Sequence, residues 1–386
     1  TVILKSDITI NNPINLDGFS IELNLNGFNI KLSDSYNADY VFRIGATEYS
    51  DFTTKHHKWF FNGVVDMNDK PAHLLLHTFS WSLQCKDLRV INARRGFIKY
   101  MVNEGQRTRG AECLLDNVSI IGSDNVEPDA VAFDWWIGDS YLSKLYSQYF
   151  SIGLKNRSSG IHVRDVHVWG LPAASQQPNK IMRVGVWNGG YYNVYNNIIV
   201  DTPERTNQSQ PSSIENGGIA FYDEVSATTK YINCDVICHD ETTNKSVYGF
   251  YFNQPESVGD EWYGQSVVID GCFGRNHNKF LEGIHFTGVA RNLNISNTDL
   301  PLNKSGNIRG YNRITSNTTV FKKDTNTVVG EGVQDFSICN GANEFQMIND
   351  DYGIDILIRD GEKNGIWARI NENPLSYYTG STLQEL

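Results

Sequence analysis

The sequence predicts an all-β chain wound as a parallel β-solenoid, with a small β-rich module at its C-terminal end. Three observations carry that prediction. First, a small residue followed by an alternating apolar strand returns as "AVAFDW" (130–135), "IGLKN" (152–156), "VGVWNG" (184–189), "GGIAFYDE" (217–224), "YGFYFNQ" (248–254) and "EGIHFTG" (282–288). Aligning Gly153, Gly185, Gly218, Gly249 and Gly283 gives spacings of 32, 33, 31 and 34 residues. Second, an Asp- or Asn-led strand runs in counterpoint: "KDLRVIN" (86–92), "DNVSIIG" (116–122), "RDVHVWG" (164–170), "NNIIVDT" (196–202), "CDVICHD" (234–240) and "RNLNISN" (291–297). Third, helical periodicity is nearly absent, and "SYLSKLYSQYF" (140–150) is the one stretch expected to form a short helix.

A unit of two phrases cannot bury its apolar face alone, so successive units must stack in register to build one continuous core. Propeller blades need longer repeats of four strands, and no Leu-x-x-Leu-x-Leu frame persists, which sets aside the two main rivals. Short runs rich in Val, Ile and aromatics, punctuated by Asn, Asp, Gly and Ser, fit strands and tight turns. After about residue 305 the alternation continues without the coil spacing. There "RDGEKNGIW" reads as a hairpin turn between two strands. The expected organisation is therefore 1–305 for the solenoid and 306–386 for a module that caps or trimerises it, since an open solenoid end exposes strand edges.

Composition narrows the function. With 33 Lys+Arg against 44 Asp+Glu the net charge is −11 and no basic run occurs, which argues against a nucleic-acid partner. No stretch of 18 apolar residues predicts membrane insertion. The first residues, "TVILKSDITI", alternate like a strand and do not resemble a signal peptide, so the chain is expected to be the middle or end of a longer product. Six cysteines follow no disulfide framework. Cys234 and Cys238 have a metal-like spacing, but alternation makes them small buried apolar residues.

"DNVSIIGSDN", "SGIHVRDVHVWG" and "ARNLNISNTD", with "NLNGFNIKL" (24–32) as an early coil, resemble the right-handed parallel β-helices of the pectate-lyase-like superfamily. More closely, the chain resembles bacteriophage tailspikes and capsule depolymerases over roughly residues 1–305. That resemblance implies a homotrimer on the virion tail, made in the bacterial cytoplasm, whose β-helix digests bacterial surface polysaccharide, capsule or O-antigen. It carries no catalytic signature and implies no cofactor.

Stacking the aligned phrases places Val186, Ile219, Phe250 and Ile284 inward. An outward column follows of Lys155, Trp187, Ala220, Tyr251 and His285, then a second of Asp134, Tyr222, Asn253 and Thr287. Trp187, Tyr222, Tyr251 and His285 thus fall on one outer face in four consecutive coils. Such a ladder suits sugar rings, and packing under a loop or against another subunit is the alternative. Lys155, Arg183 and Asn253 join the expected substrate-binding set. Long insertions at Asn125–Lys144, Gly170–Met182 and Thr202–Glu215, and a shorter one at Gln254–Tyr263, are expected to wall a groove. They bring Trp135, Trp136, Trp262, Asp129, Asp139, Glu204, Glu256, Asp260 and Glu261.

Glycoside hydrolysis needs two carboxyl groups about 5–9.5 Å apart. Asp223 and Glu224 meet that spacing with each other or with Glu215 or Glu256, and these four are the expected catalytic residues. Asp134 lies three coils from Asp223, about 14 Å away, and is set aside as their partner. The competing chemistry is β-elimination on a uronic acid, for which Lys155, Arg157, Arg183, Tyr222, Tyr251 and His285 supply neutralisers and bases. A non-catalytic glycan-binding adhesin is a third reading. Hydrolysis is favoured. "IGDSYLS" (137–143) only loosely resembles an esterase motif around Ser140. The pairs His56–His57 and His73/His77 have no evident carboxylate partner for a metal.

Overall fold

The computed structural model describes residues 1–45, 58–77, 83–100, 112–172, 175, 177–204, 217–224, 228–243, 246–253, 267–285 and 295–300, and beyond these only backbone strands. Strands stack in parallel along the chain to form a β-helix. One sheet of sixteen strands runs through the solenoid. A second face begins with a four-stranded sheet, whose last members are His73–His77 and Ile98–Tyr100, and continues as a six-stranded sheet. The six strands are Val131–Trp135, Ile152–Asn156, Val184–Asn188, Ile219–Asp223, Val247–Phe252 and Phe280–Phe286, hydrogen-bonded in that order. The two sheets of this face meet where the Phe97 N–H donates to the Ala132 carbonyl at 2.7 Å.

The Asp- and Asn-led phrase has a backbone cause. Asn62, Asp87, Asn117, Lys144, Asp165, Asn197 and Asn233 all adopt the left-handed conformation, with φ from +51° to +64°. Asn and Asp tolerate that region best after Gly, so one sharp bend repeats down the stack. Side chains bond along it: Asn117 Nδ2 donates to Asp87 Oδ1 at 2.6 Å and Asn197 Nδ2 to Asp165 Oδ1 at 2.7 Å. The same bend overturns the expected helix at 140–150. Tyr141–Gln148 is a strand paired in parallel on both sides, and Lys144 is its left-handed corner. The bend breaks the alternation of Leu142 and Leu145, and this break mimics helical spacing.

Inside the six-stranded face, Phe133, Leu154, Val186, Phe221, Phe250 and Ile284 stack as one inward column. Phe221 and Phe250 lie 4.7 Å apart and nearly parallel. The small residues before them are Ala132, Gly153, Gly185, Ala220, Gly249 and Gly283, where the coil turns inward. A Cβ at Gly185 would stand 2.3 Å from Val200 Cγ1 and 2.7 Å from the Ala220 carbonyl oxygen. Ala220, not Gly218, shares this position with Gly185. Gly217 and Gly218 have φ of +78° and +76° and form the turn that leads into the strand. This two-residue shift also makes Phe221 the inward residue expected at Ile219.

A buried polar network crosses the interior. Asn156 Nδ2 donates to Tyr195 Oη (3.1 Å), and Tyr195 Oη donates to Asn188 Oδ1 (3.0 Å). Asn188 Nδ2 reaches Thr229 Oγ1 at 3.1 Å, and Tyr231 Oη donates to Asp223 Oδ2 at 2.9 Å. Tyr195 and Tyr231 stack at 5.1 Å. Each member thereby meets the requirement that buried polar groups be hydrogen-bonded. Cys85, Cys113, Cys234, Cys238 and Cys272 are buried, as the alternation predicts for Cys234 and Cys238.

Parallel pairing extends to Arg313–Ile314 and, through Asn307–Arg309, to Phe336–Asn340. From Phe336–Asn340 onward six strands form an antiparallel meander, in which Gly353–Asp360 and Asn364–Ile370 are the hairpin partners the turn sequence predicts.

Candidate active site

Pairing register fixes which side chains share the outer face. Asp134, Lys155, Trp187, Tyr222, Tyr251 and His285 occupy successive rungs of one column. Two corrections follow. Tyr222, not Ala220, stands between Trp187 and Tyr251, and Asp134 heads this column instead of a second one. Thr287 lies outside the described residues. Beside the column run Val131, Ile152, Val184, Ile219 and Tyr248, an apolar outer row packed with Tyr222, Trp187 and Tyr251.

The ladder is continuous. Lys155 Nζ lies 3.5 Å from the Trp187 ring centroid, a cation–π contact. Trp187 meets Tyr222 edge-on at 5.0 Å, Tyr222 meets Tyr251 at 5.8 Å, and Tyr251 meets His285 at 4.5 Å. Tyr222 itself is only 3% exposed, whereas Lys155, Trp187, Tyr251 and His285 are half-buried. The ladder is therefore a partly covered strip, less open than the sequence predicts. His285 Nδ1 lies 2.5 Å from Glu282 Oε2 at its far end.

The two neighbouring acids of "FYDE" face opposite ways, because successive strand residues alternate. Asp223 shares its column with Asn156, Asn188 and Phe252, points inward and is 1% exposed. Its carboxylate meets Tyr231, so Asp223 is an interior hydrogen-bonding group with no access to a ligand on the outer face. Glu224 is exposed on the strip, and Trp187 Nε1 donates to its Oε2 at 2.9 Å. Gly189 keeps that place open, since a Cβ there would stand 3.2 Å from the same oxygen. Asn253 follows in the next coil, its N–H donating to the Asp223 carbonyl (2.9 Å) and its side chain bonding Tyr222. Glu215 and Glu256 lie outside the described residues, as do Trp262, Asp260, Glu261 and His56–His57.

Charge concentrates around Lys155. Burial and the nearby Arg157 lower its ammonium below the usual lysine range, while Asp134 and Glu224 oppose them. Burial raises the Tyr222 phenol, with Glu224 adding to the shift, and raises that of Tyr251, with Glu282 adding. Asp134 is held by Arg157 through two bonds of 2.9 Å and by Trp136 Nε1 at 3.0 Å. Burial pushes its carboxyl up, and Arg157 pulls against that.

The other expected wall residues divide. Arg183 lies just before the third strand of the face, paired with Asp129 at 2.5 Å. Asp139 and Trp136 lie at the surface side, but Trp135 is wholly buried with its Nε1 on the Ile137 carbonyl. Glu204 is also buried and accepts from Ser246 Oγ at 3.2 Å. The expected insertion Asn125–Lys144 is instead two short turns around the strand Val131–Trp135 and the start of the strand Tyr141–Gln148. Ser140 is buried with its Oγ on the Ile137 and Gly138 carbonyls, which leaves no nucleophile. Among the described residues no group of three His, Cys, Asp or Glu side chains is placed to hold a metal.

No protein-family model matches the chain, and no curated protein matches it. Three solved structures share its course. Geobacillus virus E2 ORF18 is 11% identical with a TM-score of 0.46, over 100% of this chain and 68% of that one. The tailspike gp42 of Acinetobacter phage vb_AbaP_AS12 is 8% identical with a TM-score of 0.42, over 98% and 76%. The catalytic domain of a GH87 alpha-1,3-glucanase in complex with tetrasaccharides is 12% identical with a TM-score of 0.39, over 82% and 62%. At these identities and TM-scores, function has to be argued from the site of this chain, a half-buried aromatic strip that carries the exposed carboxylate of Glu224, on a parallel β-helix.

Proposed function

We propose that the chain is a bacteriophage tailspike depolymerase that binds bacterial surface polysaccharide along the Lys155–His285 strip and cleaves it by endo-glycosidic hydrolysis. The observation that carries this reading is Glu224, an exposed carboxylate oriented by Trp187 Nε1 on a continuous aromatic ladder. Aromatic faces take sugar C–H faces, and Lys155, Arg183, Tyr251, His285 and Asn253 supply polar contacts to hydroxyls. Glu224 acts as the nucleophile at the anomeric carbon, or as the base that takes a proton from the water attacking it. The general acid that protonates the departing glycosidic oxygen comes from Glu215 or Glu256, which the sequence puts within a few residues of the same and the next strand. Asp134 is three rungs away, about 14 Å along the stack of strands, and already holds Arg157 and Trp136. A homotrimer and a C-terminal capping or trimerising module (306–386) belong to the same proposal.

β-Elimination on a uronate is the second reading, favoured by Lys155. Its lowered ammonium releases a proton more readily, and the neutral amine so formed takes the proton beside a uronate carboxylate. Incubation with purified capsule or O-antigen separates these readings. New reducing ends without ultraviolet absorbance support hydrolysis, and an absorbing unsaturated uronate overturns it. Unchanged viscosity with retained binding points to an adhesin.

A further inference from the structure

A pocket of about 320 Å³ opens at the head of the strip, where the four-stranded and six-stranded sheets meet. Its polar walls are His73, Arg95 and Lys99 from the earlier coils, and Glu127, Asp129 and Asp134 from the coil that follows. That volume is at the low end for small-molecule sites. Tyr100 and Trp136, stacked at 5.5 Å, close one side.

The charges of this pocket pair unequally. Each lining carboxylate already has an arginine: Glu127 with Arg95 at 2.8 Å, Asp129 with Arg183 at 2.5 Å, and Asp134 with Arg157 at 2.9 Å. Lys99 is left with one ion-pair partner among the described residues, Asp39 at 3.6 Å. Asp39 stands outside the pocket lining with a 64% exposed side chain, and its other oxygen accepts from Arg95 Nη1 at 3.0 Å. Arg95 and Lys99 therefore converge on one carboxylate, supplied by a surface side chain that water solvates well. An exposed pair of this kind costs little to break. His73 adds no positive charge at neutral pH, because burial lowers its imidazole to about 4. Its Nδ1 lies 3.1 Å from the Gly96 carbonyl, and with the proton there Nε2 accepts a hydroxyl.

We infer that this pocket is a subsite for an acidic sugar, whose carboxylate replaces Asp39 between Arg95 and Lys99 while its hydroxyls meet the carboxylates and His73. The inference rests on reading this face as glycan-binding, and it narrows the substrate class to polysaccharides carrying a uronate or another carboxylated sugar. It places the acidic unit at the head of the column, three rungs from the coil of Glu224.

Asp39 and Lys99 give the test opposite signs. Galacturonate trisaccharide and its carboxyl-reduced neutral counterpart serve as probes, with binding measured by titration calorimetry on the full chain. The wild type is expected to bind the acidic probe at least ten-fold better than the neutral one. Lys99→Gln should weaken the acidic probe about ten-fold, as loss of a charge-assisted bond does. Asp39→Asn removes the internal competitor and should strengthen it several-fold, and neither change should move the neutral probe. Equal binding of both probes, no binding of the acidic one, or weakening by Asp39→Asn overturns the inference. Cleavage of capsule by the same variants is read separately. A depolymerase that cleaves its polysaccharide but fails these titrations loses the subsite alone.

Discussion

Asp223 and Glu224 are adjacent in sequence and opposite in role, and their replacement separates the interior from the site. Asp223 is buried and accepts from Tyr231 Oη at 2.9 Å. A hydrogen bond to a charged group contributes about 1.5–3 kcal/mol. Asp223→Asn keeps an acceptor for Tyr231 and should cost about 1–2 kcal/mol. Asp223→Ala leaves that hydroxyl unpaired beside a cavity and should cost about 3–5 kcal/mol. Glu224→Gln, on the surface, should fall within about 0.5 kcal/mol of the parent. Scanning calorimetry at one fixed scan rate, with turnover measured per folded molecule, gives both readouts. The expected result is a lowered melting temperature with retained turnover for Asp223→Asn, and an unchanged melting temperature with turnover reduced by at least 100-fold for Glu224→Gln. An Asp223→Asn protein that melts like the parent but has lost turnover would refute the division between inner and outer acid.

Three further outcomes follow from particular contacts. Trp187→Ala removes the Glu224 donor and the middle of the ladder, so oligosaccharide affinity by titration should fall about ten-fold or more while the fold survives. Gly185→Val places a branched side chain against Val200 and the Ala220 carbonyl, and should cost about 3 kcal/mol of stability, seen as a sharply lowered melting temperature or soluble yield. His77 is wholly buried, its two ring nitrogens have no hydrogen-bond partner among the described residues, and burial lowers it to about 4. Because the unfolded chain takes the proton near pH 6.5, the stability this residue gives above that pH is lost as pH falls toward 4, on the order of 3 kcal/mol. His77→Phe should flatten the decline of melting temperature between pH 6.5 and 4, and an unchanged slope would count against it.

Much of the fold is legible because the repeat is local. A left-handed Asn or Asp at each bend and a small residue at each inward turn leave direct marks, from Asp87 and Asn117 to Gly153 and Gly185. The strand at 141–148 is misread as a helix because the bend at Lys144 is occupied by a residue with no turn signature. Counting glycines also misplaces one coil. Gly217 and Gly218 look like the inward small residue but serve the turn before it, so Ile219 falls in the outer row, Ala220 takes the inward small position, and Phe221 and Tyr222 take the places expected of Ile219 and Ala220.

The site is legible by type and less so by position. The aromatic ladder, Lys155 and Glu224 follow from alternation once the coils are stacked. Asp223 does not, because strand alternation sends adjacent residues to opposite faces and only the register says which faces in. The pocket at the head of the strip leaves no motif, since His73, Arg95, Lys99, Glu127 and Asp134 come from separate coils brought together by stacking.

The sequence by itself determined a stacked β-coil with one aromatic outer face, because bends, small turns and two-residue alternation are short-range properties of the chain. Only the tertiary structure decided that Tyr222 is covered, that Asp223 belongs to the core, and that Lys99 stands beside three arginine-matched carboxylates. Those are properties of register between coils about thirty residues apart, fixed by which side chains pack and which charges pair across the stack.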